Sequence, residues 1–480
     1  MATQANANRL GPMKKHQHTV YQVSCDFDTG RGVALFRMEG KMKIRLVSHA
    51  SVLVQCTDLC IWTDPWLFGK AFNDSWSLFP PAEFNDSLLK GIDYIFVSHE
   101  HPDHFHIPTL RSLPADFKER VTILYQDNNS EKMFDAFHKL GFKRVVPLPH
   151  REIVSLSKAT RVYCYHVAHR DSCLAVLNQH QTVLDVNDAE INSKDCRLIR
   201  GDIGPTDVVL NQFSIAGYSG WKEYEKILPA ESRRILEYML ANHRDLGAKA
   251  TIPFASFIYF SSVDNAYVNR FMNTPRDVHR YFAQAGEIAA ILFPGDIFEL
   301  PGKAYDSSGA LARYDNLYAG VDRLPYDEVA TVPLADIAKA FAQRIEHLQA
   351  RYPKTLLRVL RPVSVSIPDL NTKVVFSIPA GSFQETNHME ECDLVMNSQP
   401  LHFGFAHPYG MQTLGASARY IQQRHLRNWK LHRVLLALDN AELHLLPRFL
   451  FTWKNLKYFK KRLPGVWNQF SYIVRRHSEI

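Results

Sequence analysis

The feature that most constrains this chain is a run in which an apolar strand breaks directly into a cluster of metal-ligand side chains: Tyr94-Ile-Phe-Val-Ser-His99-Glu-His101-Pro-Asp103-His104. The aromatic and β-branched residues before Ser98 read as a buried strand. His99, His101, Asp103 and His104 then fall within six residues, where that strand opens into a loop. Imidazole and carboxylate donors spaced this way on a turn can converge on divalent cations, His99 and His101 on one, Asp103 and His104 on a second. A polar loop that is merely rich in histidine is the bland alternative, and the spacing after a strand argues against it. The fold must therefore deliver a strand end to a site where further donors from elsewhere in the chain can meet it.

Short β-type runs dominate the first 215 residues, among them KIRLVSH, SVLVQC, CIWTD, VTILY, RVYCYHVAH, CLAVLN, TVLDVND and VVLNQF, separated by polar or Gly/Pro/Asn turns. A helix is expected over Trp221–Ala248, interrupted near Pro229, and another near Pro275–Ala285. Strands and helices mix without strict alternation, which favours an α/β (α+β) class with a layered sheet sandwich flanked by helices. The division expected is an N-terminal extension over 1–40, a metal-binding catalytic domain over 41–300, a linker over 301–326, a smaller α+β domain over 327–446 and a basic aromatic tail over 447–480. In the smaller domain a helix is expected over Asp327–Arg351, followed by strands in LLRVLRPVSVSI and KVVFSIPAG.

Composition enters through charge. The chain of 480 residues carries a net charge of +7, and its last segment, from Pro447 onward, holds eight Lys or Arg against the single acid Glu479. The body is thus charge-balanced, which excludes a nucleic-acid coat, and no nucleic-acid partner is expected. The tail interleaves aromatics with bases, a pattern suited to an anionic membrane surface or an acidic partner, with a packed basic helix as the plain reading. No run reaches the about 18 apolar residues of a bilayer span, and the N-terminus lacks the apolar core of a secretory signal. Seven scattered cysteines, several inside apolar strands, read as buried reduced thiols, so a cytoplasmic location is expected.

His-x-His-x-Asp-His after a strand resembles the metallo-β-lactamase superfamily, and the resemblance implies an αββα sandwich with a dinuclear metal site. The family continues with one further His and then a bridging Asp, both at strand ends. Here His169 stands 65 residues after His104, and Asp188 a further 19 on. His166 and Asp185 are the neighbouring alternatives, set aside because they lie within their apolar runs. The metal ligands implied are therefore His99, His101, Asp103, His104, His169 and Asp188. SHASVLVQCTDLCIWTDPWLFGKAF is similar to the opening strands of a branch in which the equivalents of His49 and Asp64 lie near the metals. Asp103 and His49 are the candidate catalytic residues. Over about residues 44–300, TDPWLFGKAFNDSW, VSHEHPDHFHIPTL, DVVLNQFSIAGYSG and IPFASF resemble, in order and spacing, the metallo-β-lactamase-like domain of the CMP-N-acetylneuraminate hydroxylase family.

Two departures from that pattern bear on function. The Rieske pattern of those hydroxylases, Cys-x-His followed by Cys-x-x-His, is not found in this sequence; its one Cys-x-His, Cys164-Tyr-His166, lies in a core strand. Hydrolytic members place a late His near the position of Phe254-Ala255, and none stands here, leaving Asp171, Asp264, Asp296, His388, His402 and His407 as open alternatives for a missing ligand. Extra vacant coordination suits dioxygen. The expected function is a metal-dependent oxygenase, iron favoured, that hydroxylates or oxidises a polar small-molecule metabolite, with zinc or manganese the alternative metals and hydrolysis of a lactone, phosphodiester or amide the alternative chemistry. Reducing equivalents would then come from a separate reductase, a small redox protein or the substrate, so an external electron donor is a candidate partner. A homodimer is compatible with the second unit, whose apolar pattern reads first as core. Trp62, Trp66, Trp76 and Tyr218 are candidates for the pocket wall or for plain core packing.

Overall fold

The computed structural model describes residues 21–22, 41–127, 131–167, 171–300, 305–386, 391–424 and 427–440. The basic aromatic tail over 447–480 and nearly all of the N-terminal extension lie outside the described residues, as do His169 and His388.

Two seven-stranded sheets face one another. The first runs in the order Ile297–Glu299, Lys43–Ser48, Ser51–Gln55, Cys60–Thr63, Tyr94–Val97, Thr122–Gln126, Arg144–Leu148. The second runs Tyr21–Gln22, Ile153–Ser155, Thr160–His166, Ser172–Asn178, Gln181–Asn187, Val208–Gln212, Ala250–Phe254. The strands are apolar on both faces because each sheet is covered twice. Tyr94 and Phe96 point into the shared core with Leu46, Val54, Leu174, Val183 and Leu210. Their neighbours Ile95 and Val97 point outward onto Leu110, Phe117 and Phe137 of the covering helices. The second sheet behaves likewise, Val209 and Val186 facing outward toward Cys196, Ile199 and Leu246. This is the αββα sandwich of the metallo-β-lactamase fold.

Local signals fix the helices. Thr274 and Asp277 form a capping box that starts the helix Pro275–Gln284, and Gly247, at φ 64°, ends the helix Tyr224–Leu246. That second helix is continuous, where an interruption near Pro229 was expected. Pro229 sits about one and a half turns from its start on an exposed side, where water can take the carbonyl that proline leaves without a donor.

The stretch expected as a linker instead contains the helix Ser308–Tyr318, whose Ala310, Leu311 and Tyr314 belong to the sandwich core. Its amphipathic residues are interspersed with Gly and Asp, which hides the period. Beyond it, a five-stranded sheet in the order Ser382–Glu385, Thr372–Ser377, Val363–Ile367, Leu394–Val395, Ile421–Gln422 packs with helices on its own core around Phe341, Val365, Phe376, Phe405 and Trp429. The long helix of this unit begins at Leu334, later than expected; Asp327 instead bridges back to Ser262 and pairs with Lys70. Among the described residues no helix is long and apolar enough to cross a membrane.

Candidate metal centre

The site forms where strand ends of both sheets meet. Tyr94–Val97 ends at Ser98, and the next residues turn out of the sheet at its C-terminal edge. Ser98 ties this edge to the opposite sheet, its carbonyl accepting from the Ser172 hydroxyl at 2.7 Å and the Gln126 amide at 3.0 Å. That contact sets Asp171, the residue before Ser172, against the histidine turn. Asp188 is placed by Asn187, which adopts φ 47° and whose side-chain oxygen accepts from the Asp188 N–H at 2.7 Å.

Buried Asp64, at φ 35°, organises the histidines. Its carboxylate accepts from the Ser98 N–H at 2.8 Å, the Ser98 hydroxyl at 2.7 Å and His104 Nδ1 at 2.7 Å. The Ser98 hydroxyl, having given its proton to Asp64, accepts from His99 Nδ1 at 3.0 Å. Both imidazoles thereby carry a proton on Nδ1 and turn Nε2 into the site, as ligating histidines do when their outer nitrogens are anchored.

Three donor groups result: His99, His101 and Asp171; His99, His104 and Asp188; and His49, Asp103 and His104. His99 Nε2 lies 2.7 Å from His101 Nδ1 and 3.9 Å from Asp171 Oδ1. Asp188 Oδ2 lies between the histidines, 3.7 Å from His99 Nε2 and 3.5 Å from His104 Nε2. Asp103 Oδ2 is 3.3 Å from His104 Nε2 and 3.2 Å from His49 Nε2.

Several buried atoms here lack hydrogen-bonding partners among the described residues: Asp103 Oδ1, His104 Nε2, Asp171 Oδ1 and Asp188 Oδ1. Orphaned buried acceptors on three carboxylates and a histidine are costly unless something cationic satisfies them. Titration agrees. Burial pushes Asp171 well up, reinforced by Asp188. Burial works against charge on His104, yet Asp188, Asp103 and Asp64 outweigh it and hold that imidazole well above its usual range. Burial leads at His99 and lowers it, leaving it neutral. At Asp103 burial is overcome by His104 and His49, which hold the carboxyl well down. The pocket is thus an excess of negative charge with imidazole nitrogens turned inward, which fits divalent cations.

Of the residues expected from sequence, His99, His101, Asp103, His104, Asp188 and His49 come together. His169 falls outside the described residues. The alternative His166 turns away, its Nε2 meeting the Leu148 carbonyl at 3.0 Å. Asp185 is buried one strand step below, raised by burial and by Asp64. Of the candidates for a missing ligand, Asp171 reaches the site, whereas Asp264 pairs with Arg419 and Asp296 with Arg313.

Where a late His was sought, the Ala255 N–H donates to the His49 carbonyl at 2.8 Å, so the strand end that lacks a histidine holds His49 instead. Trp66 and Trp76 flank His49 at ring distances of 5.5 and 6.4 Å, while Phe72 meets His101 at 6.0 Å. Of the expected wall residues, Trp62 lies elsewhere, stacked on Phe84 in the outer core, whereas Tyr218 packs in one cluster with Trp66, Phe72 and Trp76 while its hydroxyl donates to the Trp221 carbonyl. The part the Ser98 hydroxyl plays between Asp64 and His99 has no sequence signal, and a place for Asp64 near the metals is implied only by the resemblance.

Residues 43–193 match the beta-lactamase superfamily domain. Cytidine monophosphate-N-acetylneuraminic acid hydroxylase of Asterias rubens is 28% identical over 255 residues, covering 50% of this chain and 38% of that protein. The hydroxylase of Mus musculus is 28% identical over 258 residues, covering 50% of this chain and 43% of its own. The chain therefore spans less than half the length of these relatives. Among solved structures, CmlA, a diiron β-hydroxylase from Streptomyces venezuelae, is 17% identical with a TM-score of 0.40, covering 55% of this chain and 54% of its own. Igni18, a metallo hydrolase from Ignicoccus hospitalis, is 15% identical with a TM-score of 0.38, covering 54% of this chain and 99% of its own.

Proposed function

We propose that this chain, whose residues 43–193 form a beta-lactamase superfamily domain, is a metal-dependent oxygenase that hydroxylates or oxidises a small polar metabolite, with iron the favoured metal. The observation that carries the reading is the donor set His99, His101 and Asp171. Two imidazoles and one carboxylate with remaining positions open are the donor chemistry of non-haem iron oxygenases, a set that catalytic zinc sites also use. His104 and Asp103, with His49, offer a second position, and Asp188 Oδ2 lies between His99 and His104. Sequence similarity to the hydroxylases supports the same direction.

Bound iron would supply dioxygen activation; the net reaction consumes one dioxygen, two electrons and two protons per hydroxyl group introduced, releasing water. A separate redox protein as electron donor is part of the proposal. The chain's own residues hold the geometry. Asp64 and Ser98 keep the Nε2 atoms of His99 and His104 aimed inward, and His49 holds Asp103 through Oδ2 so that Oδ1 is free. Trp66, Phe72 and Trp76 keep water from that side.

Hydrolysis by zinc or manganese is the second reading, favoured by Asp188 lying between His99 and His104, since a shared carboxylate also suits a paired-metal water nucleophile. A cytoplasmic location, a homodimer and docking of the tail on an anionic membrane or acidic partner belong to the proposal as well. Replacement tests the site: Asp103→Ala and His104→Ala should each abolish turnover in a folded protein, and unchanged turnover in either contradicts the assignment.

A further inference from the structure

The hairpin joining Lys70–Ala71 to Trp76–Leu78 turns through three consecutive residues in the left-handed region: Phe72, Asn73 and Asp74, at φ 53°, 61° and 55°. Asn and Asp accept that conformation; a bulky aromatic rarely does. Such a turn persists where its surroundings over-determine it. Its own hairpin contributes the Ser75 hydroxyl, which donates to the Phe72 carbonyl at 2.7 Å. The Ser75 N–H donates to the Ala71 carbonyl at 3.1 Å, and the Ser75 carbonyl accepts from the Ser261 N–H at 2.9 Å and the Asn265 amide at 3.1 Å; the restraint on Asn73 itself comes from the second unit. Asn73 and Gln399, 326 residues apart, exchange amide hydrogen bonds at 2.9 and 2.8 Å. Buried Arg419 donates to the Asn73 carbonyl at 3.2 Å and to Gln399 Oε1 at 2.9 Å, while its Nε is held by Asp264 at 2.9 Å. Trp76 Nε1 donates to the Ala416 carbonyl at 3.1 Å. What the turn delivers is the Phe72 ring, 4.5 Å from Trp76 and edge-on to His101.

We propose that Gln399 and Arg419 are positioning residues for the metal centre: they clamp the left-handed turn that sets Phe72 against His101, so the second unit determines the shape of the substrate space beside the metals. This rests on reading the donor cluster as a metal centre. It also gives the second unit a role beyond packing, because without it the turn loses the contacts that offset its strain. A substrate group approaching His101 meets an aromatic wall whose position is set by a helix residue, Gln399, and a loop residue, Arg419, far along the chain.

The test is a double-mutant cycle on the full chain, with Gln399→Ala, Asp74→Gly and their combination. Asp74 is exposed, and glycine adopts its φ without strain, so Asp74→Gly relaxes the turn from within. Two readouts are taken: backbone hydrogen exchange across residues 66–79, and the rate at which a chelator removes zinc from the zinc-loaded protein. Gln399→Ala should raise both by roughly three- to tenfold, and the double variant should recover most of the loss. Unchanged rates in Gln399→Ala, or effects that simply add, overturn the clamp. If Gln399→Ala does not fold, Arg419→Lys replaces it, since one ammonium cannot serve Asp264, Asn73 and Gln399 together. Absence of zinc binding in the wild type refutes the metal reading, while the exchange data still decide the clamp.

Discussion

Asp64→Asn isolates the element on which the metal centre depends without changing its volume. The Asp64 carboxylate is acceptor-only and receives Ser98 N–H, Ser98 Oγ–H and His104 Nδ1–H. Asparagine keeps one oxygen, sufficient for the Ser98 N–H, but turns an NH2 group toward the other two donors. The Ser98 hydroxyl can rotate to accept. His104 cannot: to accept at Nδ1 it must move its proton to Nε2, the atom that faces the site. The variant therefore sets the imidazole tautomer against metal binding. A charge-assisted hydrogen bond of this kind contributes about 1.5–3 kcal/mol, and loss of outer contacts to ligating histidines typically lowers metal affinity by about 10–100-fold. Competition against a chromophoric chelator, with zinc and with ferrous iron under anaerobic conditions, measures that loss. Circular dichroism checks that the fold is kept. Affinity within twofold of the wild type in a folded Asp64→Asn protein would refute the relay from Asp64 to His104.

Further expectations follow from the same geometry. Asp171→Asn should remove a carboxylate from the group with His99 and His101 and reduce bound metal toward one ion per chain, read by elemental analysis after dialysis; two ions retained would exclude Asp171 as a donor. In the cation-free protein His104 titrates above its usual range, so metal must displace its proton. Apparent affinity should then fall by about tenfold per pH unit below that raised pKa, and calorimetry in buffers of different ionisation enthalpy should detect one proton released. Affinity independent of pH would contradict this. Leu210→Ala, deep between the sheets, should destabilise the protein by about 2–5 kcal/mol in chemical denaturation while leaving metal stoichiometry unchanged.

What could be read from sequence was local, and what could not was relational. His99 to His104 are legible because four ligand types crowd one strand end, and Asp188 because it closes an apolar run. Asp171 and His169 are separated by one residue, so only the tie between Ser172 and Ser98 shows that Asp171 faces the histidines. The Asp64–Ser98 relay joins residues 34 apart through side-chain atoms, which no periodicity encodes. The turn at Phe72 has no glycine to announce its left-handed backbone, and part of its support comes from the helix Ser398–Ala406 of the second unit. The sandwich itself was visible in its two-faced apolar strands, whereas the helix Ser308–Tyr318 was hidden by a loop-like composition.

The central claim is tested most directly by metal and oxygen stoichiometry on one preparation of the full chain, purified without added metal. Iron approaching two ions per chain, with dioxygen consumption on supplying electrons that is lost in Asp103→Ala, is the predicted result. Zinc in place of iron, together with turnover that persists without dioxygen, would contradict the oxygenase reading and leave the hydrolase in its place.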